Sequence, residues 1–99
     1  MTFSDFKRSL DQSQPPAGIS VFLQSLWYDG KSDWHQAHAL VDSLSGTQAA
    51  HVHAYLHRKE GDLSNADYWY RRANKSRPAV DLDQEWENLV LEFLQAIKE

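Results

Sequence analysis

Five histidines stand in this 99-residue chain, and four of them come as spaced pairs. His35 and His38 are three apart, and His53 and His57 are four apart. On a helix either spacing sets both imidazoles on one face, where neutral ring nitrogens can share a divalent transition metal. A two-helix metal site from His35, His38, His53 and His57, with Glu60 or Asp62 nearby, is one reading of these residues. The other has His53 and His57 packed as neutral imidazoles against a partner helix, with His38 on the apolar stripe of Trp34 and Val41. Between His53 and His57 stand Ala54, Tyr55 and Leu56, so the metalloprotease pattern is absent from that stretch.

A second group mixes aromatic and basic residues: Tyr68, Trp69, Tyr70, Arg71 and Arg72, with Arg58 and Lys59. Tyr70 falls on a core-facing position, whereas Tyr68, Trp69 and Arg72 need not all fit inside. Exposed aromatics and arginines together are what protein hot spots and anion pockets use. The bland alternative is that Arg71 and Arg72 pair with Asp67, Glu60 or Asp62 on a solvated surface, for about 0–1 kcal/mol each. Trp27-Tyr28-Asp29-Gly30 and Trp34 read as core between adjacent helices, since large aromatics dominate burial. The chain has neither a Gly-x-Ser-x-Gly elbow nor a glycine-rich phosphate loop, so no nucleophilic or phosphoryl-transfer chemistry is indicated.

The elements that must position these groups are helical. Phe3, Phe6 and Leu10 share a face over 3–10, with Thr2 and Asp5 as a capping pattern. Gln12 to Gly18 carries tandem prolines and makes a semi-rigid connector. Ile19, Phe22, Leu23, Leu26 and Trp27 then form a wide apolar stripe, closed by Asp29-Gly30-Lys31-Ser32 as a turn. Asp33 caps a helix bearing Trp34, Ala37, His38, Val41 and Leu44, which Ser45-Gly46 breaks. A helix over 47–60 carries Ala50, His53, Ala54 and His57 on one side. Gly61 ends it, and Asp62 caps another with Leu63, Ala66, Tyr70 and Ala73 inward, up to Pro78. Asp81 and Gln84 open the last helix as a capping box, ahead of Leu82, Trp86, Leu89, Val90, Phe93, Leu94 and Ile97.

Composition narrows the function classes. One core is all that 99 residues supply, and no cysteine is available for a disulfide, a thiolate metal site or a nucleophile. No run approaches the roughly 18–20 apolar residues of a membrane span, and the first residues lack the apolar stretch of a secretory signal. A net charge of -4 argues against a phosphate-backbone binder. Neither a nucleic acid nor a membrane is therefore expected as a partner, and a cytoplasmic location is expected.

Gly61, Ala66, Tyr70, Ala73 and Pro78 resemble, in spacing and type, the second half of a tetratricopeptide repeat, with Ala54 as the small residue of its first helix. Trp27 to Ala37 looks like a degenerate second copy, Ala37 matching Ala66 at 29 residues rather than the usual roughly 34. The string from His53 to Asp62, with Asn65 to Ala73, also resembles a family of small uncharacterised bacterial proteins. The repeat resemblance implies a concave binding face on the first helix of each pair, here Gln48, His51, Tyr55 and Arg58.

These readings converge on an all-α chain of about five helices: two tetratricopeptide-like antiparallel pairs and a C-terminal capping helix. Residues 1–17 form an N-terminal segment and proline linker, 18–45 a degenerate first repeat, 46–78 a second repeat, and 81–98 the cap. The apolar face of Phe3–Leu10 can cover one end or pair with a second chain. The expected function is non-enzymatic binding of a protein or peptide, or of a second copy. The binding residues would be Gln48, His51, Tyr55, Arg58, Tyr68, Trp69, Arg71 and Arg72, and no cofactor is implied. The alternative is a small-ligand or metal-dependent protein, enzymatic or not, using His35, His38, His53 and His57.

Overall fold

The computed structural model describes residues 1–97, with six helices and, among the described residues, no strand. The helices are α1 (Phe3–Ser9), α2 (Val21–Gly30), α3 (Trp34–Asp42), α4 (Thr47–Lys59), α5 (Leu63–Arg72) and α6 (Leu82–Ile97). Residue 98, the expected end of the capping segment, lies outside the described residues, and so does the side chain of Ile97.

Most helices begin where a short polar side chain can accept the first orphan backbone N–H groups. Thr2 and Asp5 form a reciprocal capping box at α1. Ser20 accepts from Leu23, Asp33 from Gln36, Asp62 from Asn65 and Asp81 from Gln84. At α6 the box is only half made: the Gln84 amide donates forward to Asn88 Oδ1, and its oxygen does not accept the Asp81 backbone N–H. Helix α4 differs: Gly46 precedes it at φ 102°, and no side chain caps it.

The pairs α2–α3 and α4–α5 are closed by one device used twice. A residue in the left-handed region follows each first helix, and the next N–H reaches back five residues. Asp33 N–H donates to Tyr28 O at 2.8 Å and Asp62 N–H to His57 O at 3.0 Å, which satisfies carbonyls the helix end would orphan. Gly61 takes this role in the second pair at φ 91°. In the first pair it falls to Ser32, at φ 64°, the last residue of the expected turn. Gly30 is still helical. A Cβ there would stand 3.0 Å from Leu10 Cδ2 and 3.1 Å from Trp86 Cζ2, so its smallness serves close packing.

Helix α4 is the centre of the molecule, packed against α2, α3, α5 and α6. The main core gathers Phe6, Leu23, Leu26, Trp27, Val41, Tyr55, Leu56, Val90 and Phe93 with their neighbours. Ala54, Ala66 and Tyr70 form a second cluster at the α4–α5 crossing, where two alanines let the backbones approach. The N-terminal segment seats on its own chain. Phe6 is wholly buried, Phe3 and Phe6 meet Trp86 with ring centroids 5.9 Å apart, and Lys31 Nζ donates to Leu10 O (2.7 Å) and Gln12 O (3.0 Å). No described helix is long and apolar enough to cross a membrane.

Candidate functional site

The Trp34 indole pins the start of α3 to α4, donating to Leu56 O at 2.8 Å. One turn further, His38 then lies opposite His53, Nε2 to Nε2 at 2.9 Å. His57, four residues along α4, stacks on His53 with centroids 5.2 Å apart and meets His38 edge-on at 5.3 Å. Two indoles clamp the group: Trp34 stacks on His38 at 4.9 Å, and Trp69 of α5 on His53 at 4.2 Å. The Nδ1 of His57 bonds Glu60 Oε2 at 2.6 Å. Asp42, at the end of α3, brings Oδ1 within 3.8 Å of His38 Nε2 and 3.7 Å of His53 Nε2.

His53 is buried, and its Nδ1 has no hydrogen-bond partner among the described residues. Burial, then the neighbouring His38 and His57, drive its ionisation down to about 4 against the pull of Asp42. It therefore stays neutral near pH 7. His35 does not join this cluster; it is exposed and touches only the edge of Trp34 within the aromatic network. Asp42 is the member that sequence reasoning misses. Its spacing from His38 is the same four residues that join His53 to His57, and that is the signal it offered.

The residues expected on a concave face scatter. Gln48 is exposed. The mostly buried His51 side chain stands 4.0 Å from Glu92, and burial lowers its ionisation. Tyr55 is turned into the core, where its hydroxyl donates to Asp29 Oδ2 at 2.7 Å; Lys59 Nζ holds Asp29 Oδ1 at 2.9 Å. Arg58 is likewise engaged internally, donating to Glu85 Oε1 at 2.8 Å and Val80 O at 2.6 Å, while Tyr70 donates to Glu85 Oε2. Tyr55 and Arg58 thus serve the fold rather than an exposed face. The cause is that α4 is covered on nearly every side. Burial comes first in holding the Tyr55 and Tyr70 phenols above their ordinary value, with Asp29 and Glu85 respectively adding to it.

Exposed aromatic and cationic groups meet on α5 instead. The Arg72 guanidinium lies 5.6 Å over the Tyr68 ring and 5.3 Å over the Trp69 ring, and donates to the Tyr68 hydroxyl at 3.2 Å. Tyr68 is 45% exposed. Among the described residues no carboxylate comes within 4.0 Å of Arg71 or Arg72; Asp67 is engaged by Arg77. A cavity of about 310 Å³ opens beside this patch, lined by Leu44, Gly46, Thr47, Ala50, Trp69 and Arg72 among others. A larger cleft of about 450 Å³ runs past Lys7, Asp29, Tyr55, Lys59 and Trp86 on the side of α1.

No family model, curated protein or solved structure matches the chain.

Proposed function

We propose that the chain is a non-enzymatic interaction module, built from tetratricopeptide-like helical pairs, that binds an acidic protein segment across α5 and the α3–α4 junction. The observation that carries this reading is the Arg72 guanidinium, exposed on Tyr68 and Trp69 with no carboxylate within 4.0 Å among the described residues. Guanidinium stacked on aromatic faces is preoriented, so an incoming carboxylate gains a bidentate partner at little entropic cost. Leu44, 37% exposed, and the adjoining cavity supply an apolar pocket for a neighbouring side chain. With a net charge of -4 the attraction is local to this patch.

The test is selection from a displayed library of decapeptides against the purified full chain, followed by titration of the selected peptides. Enrichment of Asp- and Glu-rich sequences, with at least tenfold weaker binding to Tyr68→Ala/Arg72→Ala and an unchanged melting curve, is the expected result. Selection of neutral or basic peptides, or affinity unaltered by the double substitution, would overturn the reading.

A further inference from the structure

The imidazole cluster is separate from the α5 patch and has a different logic. Three ring nitrogens, one each from His38, His53 and His57, lie within 4.8 Å of one another. Tetrahedral zinc with ligands at about 2.0–2.1 Å holds any two of them roughly 3.3 Å apart. The His38–His53 separation of 2.9 Å and the Asp42 contacts of 3.8 and 3.7 Å therefore bracket what the metal needs. The exposed Asp42 carboxylate has about half an ångström to close on His38 and His53.

We infer that His38 and Asp42 from α3, with His53 and His57 from α4, form a four-ligand site for Zn²⁺ or a similar divalent transition metal. Each helix gives a pair at i, i+4: the three imidazoles converge, and the Asp42 carboxylate stands beside His38 and His53. The donor set is three imidazoles and one carboxylate, which suits zinc and excludes a preference for the all-oxygen ions calcium and magnesium. His57 has its Nδ1 held by Glu60, which leaves Nε2 to ligate and fixes the ring in the manner of a carboxylate behind a metal-bound histidine. Trp34 and Trp69 hold the planes of the other two rings. With Asp42 bound, no coordination position remains open for water, so the site is structural, not hydrolytic. Its ligands come from α3 and α4, one from each helical pair. The metal therefore staples the first pair to the second.

The experiment is titration of the metal-free full chain with Zn²⁺ by calorimetry, and with Co²⁺ by visible absorption. One equivalent bound at submicromolar Kd is expected, with a tetrahedral Co²⁺ spectrum and a rise of several degrees in Tm. Asp42→Asn, at an exposed position, should fold normally and bind at least tenfold more weakly. His53→Gln should abolish saturable binding, and His35→Gln should leave it unchanged. Absence of binding to the folded wild-type chain would overturn the site. So would an affinity that Asp42→Asn and His53→Gln both leave intact, because the metal would then sit elsewhere. The α5 variant Tyr68→Ala/Arg72→Ala serves as a control and should bind zinc as the wild type does.

Discussion

Two buried carboxylates hold α4 in place, and they are built alike from different parts. Asp29 enters from α2 and receives the Tyr55 hydroxyl and the Lys59 ammonium. Glu85 enters from α6 and receives the Tyr70 hydroxyl and the Arg58 guanidinium. Each acid is almost wholly enclosed, each is satisfied by one phenol and one cation, and each cation comes from the end of α4. The cations differ. The Lys59 side chain is 38% exposed, whereas that of Arg58 is 16% exposed and also binds Val80 O. Consecutive residues at one helix end thus reach to different helices, one partly into solvent and one inward. A buried acid is costly unless fully paired, so the drier junction should be the more brittle.

Arg58→Ala offers the sharpest test of that difference. Leaving Glu85 enclosed without its cation should cost about 3–5 kcal/mol, while Lys59→Ala, where the cation is partly solvated and Asp29 keeps the Tyr55 hydroxyl, should cost about 1–3 kcal/mol. Urea unfolding of both variants reads the gap, and equal losses would dissolve the distinction. The tyrosines should behave alike instead. Tyr55→Phe and Tyr70→Phe each remove a hydrogen bond to a charged group, for about 1.5–3 kcal/mol. Both phenols titrate above their ordinary 10.0 in the folded state. The unfolded chain then loses these protons first, so stability is complete below about pH 10 and falls as pH rises past it. Unfolding curves at pH 8 and pH 11 should show this alkaline loss shrinking in each phenylalanine variant. The smallest effect separates the two helix turns. Ser32→Gly should gain about 0.5–1 kcal/mol by relieving a left-handed residue, and Gly61→Ala should lose about 1 kcal/mol by creating one. Paired thermal melts measure both.

Helix starts were readable because capping is local: Thr2, Asp33, Asp62 and Asp81 announce themselves before an apolar run. The all-helical character follows from the same periodicity. What local pattern does not reveal is how many neighbours a helix has. Reading α4 as one-sided leaves Tyr55 and Arg58 for a partner, but α2, α3, α5 and α6 surround that helix, and both side chains find carboxylates within the chain. Glycine is ambiguous in a similar way. Gly30 and Gly61 look alike in sequence, yet one is small for Leu10 and Trp86, and the other turns the backbone. Of the four histidines expected to ligate, three come together, and the one that does not, His35, differs from His38 by a phase no motif encodes. Asp42 stayed hidden because an acid at a helix end reads as surface until the facing helix is placed.

The seating of α1 bears on how the protein withstands a severed backbone. The stretch from Asp11 to Gln14 is exposed and is the natural place for a protease to cut. Yet Phe6 is wholly enclosed, Ser9 takes the Trp27 indole N–H at 3.1 Å, and Lys31 grips the carbonyls of Leu10 and Gln12. Cleavage just beyond Gln12 would leave all three attachments in place. The short N-terminal peptide would stay docked, and the nicked molecule would behave as two complementing fragments of one fold.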